Sequence, residues 1–300
     1  MRAQPDPVGF VGLGIMGRPM AEHLLHAGYP LYLYTRTASK AQTLVEHGAT
    51  WCDSPAAVAR QCNVLVTMVP DTPDVDAVLF GTDGAVETLS SGACVIDMST
   101  ISPAATREFA RRLSEKGVSL LDAPVTGGDV GARDGTLTIM VGGEQAVFER
   151  VRPILELLGR RVVHVGPSGS GQTFKACNQV LCAVNMIGVA EALTLAKRSG
   201  LDPQLVIETL SSGAGGSWAL AYLGPKIADA DHAPGFMIEL MQKDLRIVQS
   251  AGQELRVGLP GVALAQQLFR AVEAEEGGGR LGTQAMARAI EKLAGVSPGA

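Results

Sequence analysis

Aromatic residues make up only 4% of this 300-residue chain, and no run of like charges occurs in it. Recognition of nucleic acid through phosphates needs clustered Lys and Arg, so a net charge of −5 with interspersed signs excludes that class of partner. The start, Met1-Arg2-Ala3-Gln4-Pro5-Asp6, lacks the apolar core of a signal peptide, and no uninterrupted apolar stretch is long enough to span a bilayer. Cys52, Cys62, Cys94, Cys177 and Cys182 contain no C-x-x-C pair, which excludes a disulfide framework and a zinc site of that type. His23, His26, His47, His164 and His232 are scattered without ligand spacing, so they read as surface or packed residues and no metal is expected. These absences predict a soluble, cytoplasmic protein with neither a membrane nor a nucleic acid as partner. The first six residues and Val296–Ala300 read as disorder-prone ends.

What is plentiful is Gly, Ala, Val and Leu, within a hydrophobic content of 46%, a balance that suits parallel strands covered by helices. The length exceeds one typical domain, so two are expected. The organising stretch lies near the start. Val8-Gly9-Phe10-Val11 reads as a buried strand and passes into Gly12-Leu13-Gly14-Ile15-Met16-Gly17, which opens a helix carrying Met20, Leu24 and Leu25 on one face. This is a dinucleotide-binding fingerprint in its required setting. Gly12 permits the tight turn, Gly14 lets backbone approach a pyrophosphate, and Gly17 lets the helix pack closely on the strand. Free N–H groups at the helix start then face the phosphates.

Further apolar runs predict strands at Pro30–Tyr34, Asn63–Val69, Ala93–Met98, Val118–Asp122, Leu137–Val141 and Val162–Val165. After the second of these, where an Asp or Glu would accept a ribose 2′-hydroxyl, the chain has Arg36 with Thr37, Ser39 and Lys40. Positive charge and donors there favour NADP over NAD as the cofactor. As a solvated loop charge stacked on adenine, Arg36 would instead leave both open. In an open parallel sheet the carboxyl ends of strands face the ligand, so Val69-Pro70 and Ser99-Thr100 belong to one mouth with the glycine loop. Ser102 before Pro103 reads as a helix N-cap.

Thr126-Gly127-Gly128 exposes several backbone N–H groups together, a concavity suited to a carboxylate, although an ordinary glycine-rich loop reads the same way. After Gly166 to Gly171 the pattern changes to one long helix, Gln172 to about Ser199, followed only by helical periodicities. The expected architecture is therefore an α/β Rossmann N-terminal domain, residues 1–168, and a second, all-α C-terminal domain, residues 169–300, led by a long interdomain helix. On that helix Lys175, Asn178 and Gln179 share one face among apolar or small neighbours. A lysine so placed loses hydration and becomes a candidate general acid and base, whereas on an open surface it would be a solvated charge. Lys243 continues an apolar stripe with Phe236 and Leu240, and by itself reads as a snorkelling side chain.

Taken in order, the glycine loop, Asp97–Thr100, Asp122–Gly128, Gly171–Gln179 and Lys243-Asp244-Leu245 resemble the β-hydroxyacid dehydrogenases, which include 3-hydroxyisobutyrate dehydrogenase and 2-hydroxy-3-oxopropionate reductase. The resemblance implies a nicotinamide-dependent oxidoreductase of short 3-hydroxy acids or semialdehyde acids. It implies Lys175 as the catalytic residue, and Thr126, Gly127, Gly128, Asn178, Lys243 and Trp218 on the substrate, Trp218 as a lid contact. To residues 12–17, Arg36 and Thr37, read above as cofactor-binding, it adds Val69, Pro70, Thr100 and Lys243 on the cofactor, which overturns the snorkelling reading of Lys243. It also implies a homodimer or homotetramer built through the helical domain, with Ala176, Ala183, Gly188 and Ala190 allowing close packing. Thr126 stands where Ser is usual, keeping the hydroxyl and adding a methyl. Gln179 matches the semialdehyde-reductase branch, while the Ser- and Gly-rich run before Trp218 matches the hydroxyisobutyrate branch, so the substrate stays open between them. Alternatives on the same fold are a glyoxylate, succinic semialdehyde or imine reductase, and a non-catalytic NADP-binding sensor.

Overall fold

Val8, Phe10 and Val11 are almost wholly buried, and with Gly9 they make the first strand, β1 (Val8–Val11). The computed structural model describes residues 5–296; of the ends expected to be disorder-prone, residues 1–4 and 297–300 lie outside the described residues. In chain order there follow α1 (Gly17–His26), β2 (Leu31–Tyr34), α2 (Gln42–Glu46), β3 (Thr50–Trp51), α3 (Pro55–Ala59), β4 (Val64–Thr67), α4 (Thr72–Phe80), β5 (Cys94–Asp97), α5 (Pro103–Ser114) and β6 (Ser119–Asp122). Next come β7 (Val125–Thr126), α6 (Gly128–Arg133), β8 (Thr138–Gly142), α7 (Gln145–Leu155) and β9 (Arg161–Gly166). The remainder is helical: α8 (Ser170–Arg198), α9 (Pro203–Ser211), α10 (Gly224–Ala228), α11 (Ile238–Leu255), α12 (Pro260–Glu273) and α13 (Met286–Leu293). The chain divides into two compact units, Met1–Lys175 and Ala176–Ala300, so the first turn of α8 belongs to the first unit.

In the first unit the strands are ordered β3-β2-β1-β4-β5-β6-β8-β7, with β9 paired to β8. The run from β3 to β6 is parallel throughout and reverses its winding at β1, between β2 and β4. A crevice opens at such a switch point, at the carboxyl ends of the strands, and the glycine loop leaves β1 there. The sheet is not all parallel, as the composition had suggested. Strand β8 runs antiparallel to β6 and β7 and parallel to β9. Strands β3 and β7, each two residues long, escaped the sequence reading because so short a run shows no period.

Alternation along the strands sends residues to two apolar layers. Phe10, Leu33, Val66 and Ile96 join Met20 and Leu24 of α1 on one face, and Val11, Leu65 and Val95 join Phe109 and Leu113 of α5 on the other. Each such side chain contributes about 1.5–3 kcal/mol when fully buried. Helix α5 starts at the expected cap, the Ser102 hydroxyl accepting from Ala105 N–H at 3.4 Å. Asp71 caps α4 through Thr72 N–H at 2.7 Å.

In the second unit Ala183, Met186, Ala190 and Leu193 of α8 pack with Leu245 of α11, Phe269 of α12 and Met286 at the start of α13. Asp202 caps α9, accepting from Gln204 N–H at 3.0 Å. Helix α8 is, by length and composition alone, long and apolar enough to cross a bilayer, but half of its most apolar stretch is buried inside the protein. One sequence expectation needs correcting here. Ala183 and Ala190 are fully buried in this unit's own core, so of the four small residues expected at a subunit contact they are not at the surface. The large apolar side chains of α8 left outward are instead Phe174, Leu181, Val184 and Leu195, with Gly188 exposed among them.

One buried ion pair ties α8 to α13: Lys197 Nζ lies 2.7 Å from Glu291 Oε1, with side-chain exposures of 11% and 6%. Removing one partner strands a desolvated charge, whereas replacing both with apolar groups of similar volume does not. Lys197→Met should therefore cost about 3–5 kcal/mol in a denaturant titration, and Lys197→Met with Glu291→Leu should recover most of it. Additive losses would refute the pairing.

Candidate active site

The glycine loop is shaped by three different constraints. Gly12 has φ +101°, and a Cβ there would stand 2.2 Å from Met68 O. A Cβ on Gly17 would stand 2.0 Å from Gly12 O, so the start of α1 closes directly onto the turn. Gly14 faces open space, with nothing within 4 Å of its Cβ position. No side chain caps the N-terminus of α1, where Arg18 N–H donates back to Gly14 O at 3.1 Å and the positive end of the helix dipole lies at the glycine loop. This cradle fits a dinucleotide pyrophosphate. Leu13 is 2% exposed and belongs to the core, so only its backbone could serve a cofactor, whereas Ile15 is 60% exposed.

At the ends of β4, β5 and β6 a buried network sets the neighbouring turns. Thr67 Oγ1 donates to Asp97 Oδ1 at 2.8 Å, Ser99 N–H donates to the same oxygen at 3.2 Å, and Val69 N–H donates to Ser99 Oγ at 3.0 Å. Val69 and the turn holding Thr100 are thus fixed by one another. Gln172, 1% exposed in the first turn of α8, donates from its amide to Ser99 O at 2.8 Å and accepts from Ile101 N–H at 3.1 Å, bracketing Thr100. Lys175 follows one turn later and is 8% exposed. The buried polar residues beneath it had no periodic signal of their own; Asp97 and Asp122 stand at strand ends where an apolar run stops.

Asp97 is 1% exposed and burial pushes its carboxyl up to about 6, against hydrogen bonds from Ser99 and Thr67 that lower it. Its Oδ2 is buried with no hydrogen-bond partner. Burial likewise pushes Asp122 up to about 6, opposed by N–H groups of Gly169 and Gln172. Thr126 pairs with Thr138 of β8, and the chain then turns through Gly127 at φ +131° and Gly128 at φ +64° into the short α6. Both conformations favour glycine and leave the backbone uncovered for an anion. Arg36 is 76% exposed at its side chain and pairs with Asp74 at 3.2 Å; Thr37 beside it is exposed.

In the second unit Asn178 Nδ2 donates to Gln179 Oε1 at 2.8 Å, and Gln179 Nε2 donates to Asp244 Oδ2 at 2.5 Å. Lys243, 14% exposed at its side chain, holds Nζ 2.7 Å from Asp244 Oδ1, an ion pair by distance without the angle of a good hydrogen bond. Asp244, 1% exposed, therefore joins Gln179 to Lys243, a link that sequence spacing did not reveal because the two helices are far apart in the chain. Trp218 is 62% exposed and stacks on Tyr222 with ring centroids 4.6 Å apart, where the chain takes a π-helical turn over residues 219–223.

The chain is similar to known proteins along most of its length. Residues 7–166 match the NAD binding domain of 6-phosphogluconate dehydrogenase, and residues 169–290 match the family described as NAD-binding of NADP-dependent 3-hydroxyisobutyrate dehydrogenase. The 2-hydroxy-3-oxopropionate reductase of Escherichia coli K12 is 43% identical over 96% of this chain and 98% of its own. The 3-hydroxyisobutyrate dehydrogenase of Pseudomonas aeruginosa is 39% identical over 87% of this chain and 90% of its own. The crystal structure of a 3-hydroxyisobutyrate dehydrogenase from Salmonella typhimurium superposes with a TM-score of 0.85 at 31% identity, covering 95% of this chain and 99% of that one. The chain belongs to the β-hydroxyacid dehydrogenase family. It is accordingly an NAD(P)-dependent oxidoreductase acting on hydroxy acids.

In this β-hydroxyacid dehydrogenase the two raised carboxyls make stability depend on pH. A carboxyl raised from its ordinary 3.8 to about 6 binds more protons in the folded chain than in the unfolded one across that interval. Its stabilising share is present below the lower value and is lost as pH rises through the upper one. Asp97→Asn, which keeps an oxygen for Thr67 and Ser99, should therefore gain on the wild type by up to ~3 kcal/mol as pH rises from about 4 to 6 in urea titrations. A difference that stays flat with pH would mean that the carboxyl titrates in its ordinary range.

Proposed function

We propose that the enzyme interconverts short semialdehyde acids and their 3-hydroxy acids, of the 3-hydroxyisobutyrate or 2-hydroxy-3-oxopropionate type, with NADP preferred. The observation that carries this reading is Lys175, 8% exposed, one turn beyond the Gln172 that brackets Thr100. When bound, the nicotinamide supplies hydride to the carbonyl carbon or takes it from the alcohol carbon. As the substrate oxygen gains charge, the Lys175 ammonium stabilises the alkoxide and gives it a proton. In the oxidative direction the neutral amine takes the proton back. The Thr126 hydroxyl and the backbone at Gly127 and Gly128 hold the substrate carboxylate and fix its orientation. Asn178 supports the substrate, Lys243 serves both ligands, and Trp218 shields them. Val69, Pro70 and Thr100 line the nicotinamide, with residues 1–168 as the cofactor domain and 169–300 as the substrate and oligomerisation domain.

The preference for NADP is supported by exposed Arg36 and Thr37, with no acidic residue between Thr35 and Lys40. A homodimer is supported by the outward apolar stripe of Leu181, Val184 and Leu195 on α8.

Oxidation of NADPH and NADH against tartronate semialdehyde, methylmalonate semialdehyde, succinic semialdehyde and glyoxylate tests the substrate class. One of the first two should be preferred, and turnover of neither would overturn the proposal. Lys175→Ala should lower kcat by about 10²–10⁴-fold with NADPH affinity retained, and near-normal turnover would remove the lysine from its role. Arg36→Ala should weaken NADPH about tenfold more than NADH in fluorescence titrations; equal losses would refute recognition of the 2′-phosphate.

A further inference from the structure

Helix α8 starts with N–H groups that have no partner inside the helix, and one buried side chain takes two of them. Gly169 N–H donates to Asp122 Oδ1 at 2.8 Å, and Gln172 N–H donates to Asp122 Oδ2 at 2.9 Å. Both carboxylate oxygens are used, each on a different N–H, so the clamp fixes the rotation of the helix as well as its distance from the sheet. The approach leaves no slack. A Cβ on Gly171 would stand 2.5 Å from Asp122 O and 2.4 Å from Met140 O, and one on Gly142 would stand 2.6 Å from Asp122 Oδ1. Gln172 adds the second tie, to Ser99 O and Ile101 N–H on either side of Thr100. Two consequences meet in Asp122. Forward along α8, Lys175 is the next buried polar residue after Gln172. Forward along the chain, Asp122 ends β6 and leads through Ala123 and Pro124 into Thr126-Gly127-Gly128.

We propose that Asp122 is a positioning residue: its carboxylate sets the axial and rotational place of the first turn of α8, and through it the place of the Lys175 amine relative to the Thr126–Gly128 turn. The inference rests on the role proposed above for Lys175 and deepens it. An aspartate is required rather than any polar residue. Asparagine would offer one oxygen and would turn an N–H₂ group toward a backbone N–H, and a glutamate has no space beside Gly142 and Gly171. The negative charge also lies at the positive end of the helix dipole.

The test uses the full-length enzyme as wild type, Asp122→Asn and Gly171→Ala, each with and without Lys175→Ala. Gly171→Ala displaces the same turn, its Cβ pressing on Met140 O and on Asp122 without replacing the carboxylate, so it serves where Asp122→Asn folds poorly. Amide hydrogen exchange across residues 169–172 should accelerate about tenfold or more in both single variants, while NADPH affinity by fluorescence stays within about twofold. Turnover should fall about 10–100-fold in kcat, with a smaller change in KM, and neither substitution should lower kcat further once Lys175 is Ala. Equal losses in both backgrounds, or a lowered kcat with wild-type exchange, would overturn the inference. If Lys175→Ala itself keeps wild-type kcat, the role of the lysine falls and the inference falls with it. If Lys175→Ala behaves as proposed and Asp122→Asn and Gly171→Ala leave kcat unchanged, only the positioning role is lost.

Discussion

The carboxyl edge of the sheet depends on how the first turn of α8 disposes of N–H groups that no helix can pair by itself. Asp122 accepts two of them from inside the protein, where an unmet donor would cost about 1–3 kcal/mol. Burial pushes the same carboxyl up to about 6, so the interaction that docks the helix is also a store of unfavourable burial. Such a group is retained only where its hydrogen bonds offset that cost, and the absence of side chains at Gly142 and Gly171 is what lets the bonds form.

Around that contact the rest of the edge is arranged in tiers. Strand order brings the glycine loop, the Val69 turn and the Ser99–Ile101 turn to one side of the sheet. Asp97 and Ser99 then lock the two turns to each other, and Gln172 locks the Ser99–Ile101 turn to α8. No single member reaches far, since each spans one hydrogen bond. Together they carry order from β4 to the helix bearing Lys175. The second unit repeats the theme with Asp244, a nearly inaccessible carboxylate linking Gln179 to Lys243.

The chain's surface chemistry is plainer. Arg36 stands largely in solvent with a weak partner in Asp74, so its charge is available to a ligand at small cost. On α8 the division of labour differs from what small residues suggested, because Ala183 and Ala190 serve the unit's own core while larger apolar side chains face outward. Small size allows close approach, but it does not say which neighbour approaches.

Local rules were enough for much of this protein. The spacing of Gly12, Gly14 and Gly17 after an apolar strand, the Ser102 cap, the switch from alternating elements to helices, and the placing of Lys175, Asn178 and Gln179 on one helical face could all be read from neighbours a few residues apart. These features obey steric and periodic constraints that act within one turn or one strand. Tertiary structure alone decided the antiparallel course of β8, the two-residue strands β3 and β7, and the pairings Asp122 with Gly169 and Gln172, Gln172 with Ser99 and Ile101, and Asp244 with Gln179. Each of those joins residues far apart in the chain, and a buried polar group has no periodicity to announce which distant donor will satisfy it.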